Sequence, residues 1–118
     1  MRVLICGSRD WDDKYPIRNI VGDLPPNSTV IAGGARGADR IAVESVEERC
    51  QALSDIDWVE IKADWDKYGK RAGYLRNIEM LELEPDIVYA FPIGESRGTR
   101  HTIREAEKRG IKVVITEG

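Results

Sequence analysis

At 118 residues, 42% hydrophobic and 33% charged, the chain has the size and balance of one globular domain with a single core. A net charge of −3 and an isoelectric point near 5.2 argue against a general nucleic-acid surface. No apolar run reaches the ~18 residues of a membrane span, and nothing before Met1-Arg2-Val3 reads as a leader. Cys6 and Cys50 fall in a strand pattern and a helix pattern, so both read as buried thiols. With no CxxC pair and one histidine, His101, no metal site, disulfide scaffold or cofactor is expected, and a reducing cytoplasm is the expected location.

In chain order, Arg2–Cys6 is an apolar run ended by Gly7, as in a strand buried on both faces. Asp12 or Asp13 can cap a helix carrying Ile17, Ile20, Val21 and Leu24, which Pro25-Pro26 stops. Residues 28–32 form a second strand, and Gly37 to Gln51 a second helix with Ile41, Ala42 and Val46 on one face. Residues 58–61 form a third strand, and 62–73 read as irregular. A helix from Tyr74 to Pro85 is followed by a strand over 86–91, a last helix with Ile103 and Ala106 inward, and a strand over 112–115. Strands that are apolar runs, alternating with helices through short connections, predict an α/β fold: a doubly wound parallel five-stranded sheet with helices on both faces. A ligand crevice is then expected beyond the carboxyl ends of the strands, at the loops after strands one, two and four.

All three loops are rich in glycine and arginine. The first offers Gly7, Ser8 and Arg9. The second, Gly33-Gly34-Ala35-Arg36-Gly37, bends from strand to helix where backbone N–H groups and the helix dipole favour an anion, with Arg36 as a charged fork. The third places Gly94, Arg97, Gly98 and Thr99 before the last helix, where Gly98-Thr99 also serve as a cap. No Gly-Lys-Ser/Thr follows either glycine pattern, and neither is GxGxxG. Arg76, near the start of its helix, is misplaced for the dipole and predicts a negative partner; Asn77 adjoins it. Among carboxylates, Asp39 reads as an early-helix acid favoured by the dipole, Glu44 as solvated, and Glu95 as a loop acid. His101 reads as a surface side chain, and Trp11 as packing or a stacking platform.

The segments GSRDW (7–11), GGARGAD (33–39), Ala63-Asp64-Trp65, AGYLRNIEM (72–80) and FPIGESRGT (91–99) together resemble the YspA-like branch of the SLOG superfamily. This is the Rossmann-like group that includes the Smf/DprA proteins and the LOG phosphoribohydrolases. The resemblance implies a single Rossmann-like domain over 1–118 that binds a nucleotide or nucleotide-derived ligand as a sensing or sequestering module, and a possible homodimer. LOG enzymes hydrolyse the N-glycosidic bond of nucleoside monophosphates. Arg76 matches their signature arginine, but Thr102 stands where they carry a catalytic glutamate, leaving Glu95 as the substitute carboxylate. Single-stranded DNA binding of the DprA kind is disfavoured by the acidic balance and the lack of a basic, aromatic stripe.

Overall fold

Side-chain alternation along the strands decides how this chain is layered. In the computed structural model, which describes all 118 residues, the strands are β1 (Arg2–Gly7), β2 (Thr29–Gly33), β3 (Asp57–Ile61), β4 (Ile87–Phe91) and β5 (Lys112–Ile115). The helices are α1 (Lys14–Asp23), α2 (Ala38–Ala52), α3 (Trp65–Tyr68), α4 (Ala72–Glu82) and α5 (Arg97–Lys108). Every strand pairing is parallel, in the order β3-β2-β1-β4-β5. Val3, Ile5, Val30 and Ala32 point to the face covered by α1 and α2, where they meet Ile17, Val21, Ile41, Ala42 and Val46. Leu4, Cys6, Ile31, Val88 and Ala90 point to the other face, against Met80 and Leu81 of α4 and Ile103 and Ala106 of α5.

The expected doubly wound architecture is therefore present. Strand order runs one way from β1 through β2 to β3 and the other way from β1 through β4 to β5, which puts the topological switch point at the β1–β4 junction. No helix is long and apolar enough to cross a membrane.

Three local expectations are corrected. The segment 62–73 is not irregular throughout: Asp64 caps α3 by accepting from the Lys67 N–H at 3.1 Å, a 3₁₀ turn spans Gly69–Arg71, and α4 begins at Ala72 rather than Tyr74. Of the apolar positions that mark this helix in the sequence, Tyr74, Leu75, Ile78 and Leu81, only Leu81 is buried, and Ala72, Asn77 and Met80 complete the buried face of α4. Cys50 is only half-buried, its thiol donating to the Ile56 carbonyl at 3.1 Å, whereas Cys6 is buried as expected.

At the end of β2, Gly37 holds φ +78 with the carbonyl oxygens of Ser8 and Arg9 packed where a Cβ would stand. Any other residue there is strained and crowded at once. This close approach lets the Ser8 carbonyl accept from Ala38 N–H at 3.3 Å, which ties the loop after β1 to the start of α2.

Candidate functional site

A cleft of about 360 Å³ opens beyond the carboxyl ends of the strands, at the switch point. Its floor is Cys6 and Gly7 at the end of β1, with Met80 of α4. One wall comes from Ser8, Arg9, Ala35 and Asp39, and another from Ser96, Arg97, Gly98, Thr99 and Thr102. Trp65, Lys70, Gly73, Tyr74, Arg76 and Asn77 complete the lining. Four cations, Arg9, Lys70, Arg76 and Arg97, thus face one space with a single carboxylate, Asp39.

Asp39 is the residue whose surroundings differ most from the sequence expectation. It stands in the first turn of α2, as expected, and is buried there. Its Oδ2 accepts from the Ala35 N–H at 3.3 Å. Burial pushes its carboxyl up to about 7; the nearby Arg76 guanidinium and the backbone N–H groups pull it down, while Glu60 pushes it up. Gly33 explains how the two groups meet. A Cβ on Gly33 would strike the Arg76 guanidinium and the Asp39 carboxylate, so glycine here leaves the room in which they converge. Asp39 is thus a carboxyl near Arg76, though the two do not form an ion pair within 4.0 Å.

The Cys6 thiol lies at the same floor. Burial, reinforced by Asp39, raises it well above the ordinary thiol range, so it stays protonated and is no nucleophile.

Asn77 braces the site. Its Oδ1 accepts from Arg76 Nε at 3.0 Å, and its Nδ2 donates to the Gly98 carbonyl at 3.1 Å and lies 3.3 Å from His101 Nδ1. One amide therefore aims Arg76 and ties α4 to the start of α5. His101 is half-buried rather than on the surface; desolvation lowers its pKa, and its ring packs edge-on against Tyr74 with centroids 4.7 Å apart. Trp11 is packing: it is buried, with its ring 5.1 Å from that of Phe91.

Both glycine turns leave backbone donors unpaired, those of Gly34, Arg36 and Gly37 in the second loop among them. Around the second loop, Ala35 N–H is taken by Gly33 and Asp39, and Ala38 N–H by Ser8. At the start of α5, the N–H groups of Arg97, Gly98 and Thr99 make no hydrogen bond within the protein, and all three residues line the cleft. α5 starts two residues earlier than a Gly98-Thr99 cap requires: Ser96 holds the cap position at φ +38, and its hydroxyl donates to Thr99 Oγ1 at 2.9 Å.

Of the residues singled out in the sequence, Gly7, Ser8, Arg9, Asp39, Arg76, Asn77, Arg97, Gly98 and Thr99 line the cleft. Gly33 and Gly37 shape it from behind. Gly34 and Arg36 lie in a groove that adjoins it past Arg9, Trp65 and Arg76, and the Arg36 side chain is 74% exposed, 3.7 Å from Asp10. Gly94 and Glu95 stand outside; Glu95 is 85% exposed and pairs with Arg97 at 3.6 Å. Lys70, Gly73, Tyr74 and Ser96 escaped notice as cleft residues because the first three lie in or beside a stretch without helical periodicity, and Ser96 in a loop. Thr102 does line the cleft, its hydroxyl donating back to the Gly98 carbonyl at 3.3 Å.

A Cβ added at Gly98 meets nothing within 4 Å. Gly98→Val is therefore expected to keep the melting temperature within ~3 °C of the parent, a β-branched residue in a first turn being a mild perturbation. It fills the anion end of the cleft, so nucleotide affinity measured by calorimetry is expected to fall by roughly tenfold or more.

Fold and cleft together define a doubly wound α/β protein with a cation-lined crevice at its switch point. The chain belongs to the YspA, cpYpsA-related SLOG family (YAcAr), whose model matches residues 1–68. It is also 44% identical over 117 residues to the "Gene 61 protein" of Mycobacterium phage D29, an alignment covering 96% of this chain and 94% of that protein. No solved structure matches the chain. The residues matched by the family model carry Gly7 through Asp39 and Trp65; Arg76, Asn77 and the α5 donors lie beyond them.

Proposed function

We propose that this protein binds a nucleotide or nucleotide-derived ligand through its phosphate, as a sensing or sequestering module. The observation that carries the reading is the convergence of Arg9, Lys70, Arg76 and Arg97 on one cleft in a chain of net charge −3. Concentrating cations in a recess of an otherwise acidic molecule favours a small anion over a polyanion. The three free N–H groups at the start of α5 suit phosphate oxygens. A space of about 360 Å³ suits a mononucleotide-sized ligand rather than a strand of nucleic acid. Membership of the SLOG family supports a nucleotide-related ligand.

A second reading, cleavage of an N-glycosidic bond, is favoured by one observation: a buried carboxyl with a pKa of about 7, Asp39, faces the same cleft. A carboxyl of that pKa can pass a proton to a leaving base or, ionised, stabilise a cationic sugar. It is a better placed candidate than the exposed Glu95.

Incubation with nucleoside monophosphates, NAD and ADP-ribose, followed by filtration and mass spectrometry of both fractions, separates the readings. An intact nucleotide retained on the protein is the expected result. Free base with ribose 5-phosphate in the filtrate establishes hydrolysis, and retention of none overturns nucleotide binding.

A further inference from the structure

Two large aromatic side chains stand half in water at the rim of the cleft. Trp65 is 49% exposed and Tyr74 43% exposed, and no other exposed large apolar side chain lines this space. Apolar rings left uncovered at the mouth of a cleft are places where a ligand regains the buried area the fold does not supply.

Both rings are braced rather than free. Trp65 sits on α3, which the Asp64 carboxylate caps, and its indole lies over Gly73: Cη2 is 3.3 Å from where a Cβ on that glycine would stand. A Cβ on Gly73 would press on the indole, which would have to shift by a few tenths of an ångström. The Arg9 guanidinium lies over the Trp65 ring, 5.8 Å from its centroid. Tyr74 rests edge-on against His101, whose ring Asn77 holds in turn. Two planar groups are thus fixed at the α3–α4 side of the cleft. The free N–H groups at the start of α5 belong to residues that line the same cleft.

We infer that Trp65 and Tyr74 seat a planar aromatic base, so that the cleft selects nucleotides over sugar phosphates. The inference rests on the anion-binding reading above and adds the other end of the ligand. Its phosphate meets the start of α5 with Arg76 and Arg97, and its base stacks at the rim. Stacking is tolerant of base identity, because every base offers a π-face. Selection is therefore for a base as such, and the sugar phosphate alone lacks this part of the binding.

Calorimetry with AMP, GMP, CMP and UMP, each against ribose 5-phosphate, tests this on the parent, Trp65→Ala, Trp65→Phe and Tyr74→Leu chains. The parent is expected to bind at least one nucleotide roughly tenfold or more tightly than ribose 5-phosphate. Trp65→Ala removes most of that preference while leaving ribose 5-phosphate affinity within about twofold, and Trp65→Phe retains most of it. Tyr74→Leu gives the same pattern from the second ring, which keeps the test independent of how well α3 tolerates the loss of its tryptophan. Equal affinity of the parent for nucleotides and ribose 5-phosphate, or parallel losses for both in the variants, overturns the base seat while leaving the phosphate site standing. Binding of neither class overturns the anion site and the base seat together.

Discussion

Asp39→Asn is expected to stabilise the folded protein at pH 8 by on the order of 4 kcal/mol and to change its stability little at pH 4. Burial raises the carboxyl from 3.8 to about 7, so the folded chain holds this proton more tightly than the unfolded chain does. As pH rises through that window the unfolded state releases its proton first, and the folded state loses stability by comparison. Below about 4 both states are protonated and the penalty is absent; above about 7 it is complete. Asparagine keeps an acceptor for the Ala35 N–H and carries no charge to bury. Urea unfolding at pH 4, 6 and 8 reads the effect as a profile that falls with pH in the parent and is flatter in the variant. Parallel profiles would show that some other group carries the pH dependence. The charged groups facing Asp39 include Arg76 from α4 and Glu60 from β3, and the Cys6 thiol of β1 is its other titratable neighbour. Of these, only Arg76 favours the ionised form.

The second large effect belongs to Arg76. Arg76→Ala is expected to weaken nucleotide binding by roughly 10- to 100-fold, the range for losing a charge-assisted contact in a recessed site. The same substitution takes the only cation away from Asp39, so its carboxyl rises further and the variant is less stable than the parent at pH 8. Adding Asp39→Asn to Arg76→Ala is expected to restore stability but not affinity. That separation distinguishes a ligand-binding arginine from one kept only to neutralise a buried acid. If the double variant regained nucleotide affinity in calorimetry, Arg76 would be a counter-ion and nothing more. Arg97, whose side chain is 83% exposed, is expected to contribute less than Arg76.

The sheet was legible because its central strands are apolar runs: Val3–Cys6 and Ile87–Phe91 are the pattern of strands covered on both faces, whereas β3, DWVEI, is largely exposed. The crevice followed from topology, and Arg9, Arg76, Asn77 and Arg97 from their positions at its edges. The role of the Gly33-Gly34 turn was harder to read. Its sequence offers donors to an anion; Asp39 takes that of Ala35 and Ser8 that of Ala38, while those of Gly34, Arg36 and Gly37 stay unpaired. An acid at the second position of a helix looks the same in sequence whether it faces water or a neighbouring strand end. Burial decided between these, and burial is a property of the packed molecule. Lys70 was invisible as a site residue for a related reason: a four-residue helix and a 3₁₀ turn leave no period to detect.

The cleft straddles the junction of β1 and β4, where Val3 lies opposite Ile87 in the register. Neighbours so distant along the chain meet late, because the entropy of closing a long loop opposes them until several contacts form together. β1, β2 and β3 with α1 and α2 can gather much of one core beforehand, since their pairings join segments adjacent in the chain. A chain in which β4 has not yet paired therefore has three of the five strands and lacks the wall of the cleft that the start of α5 supplies. The cleft is complete only once β4 has paired with β1 and the start of α5 has docked beside them.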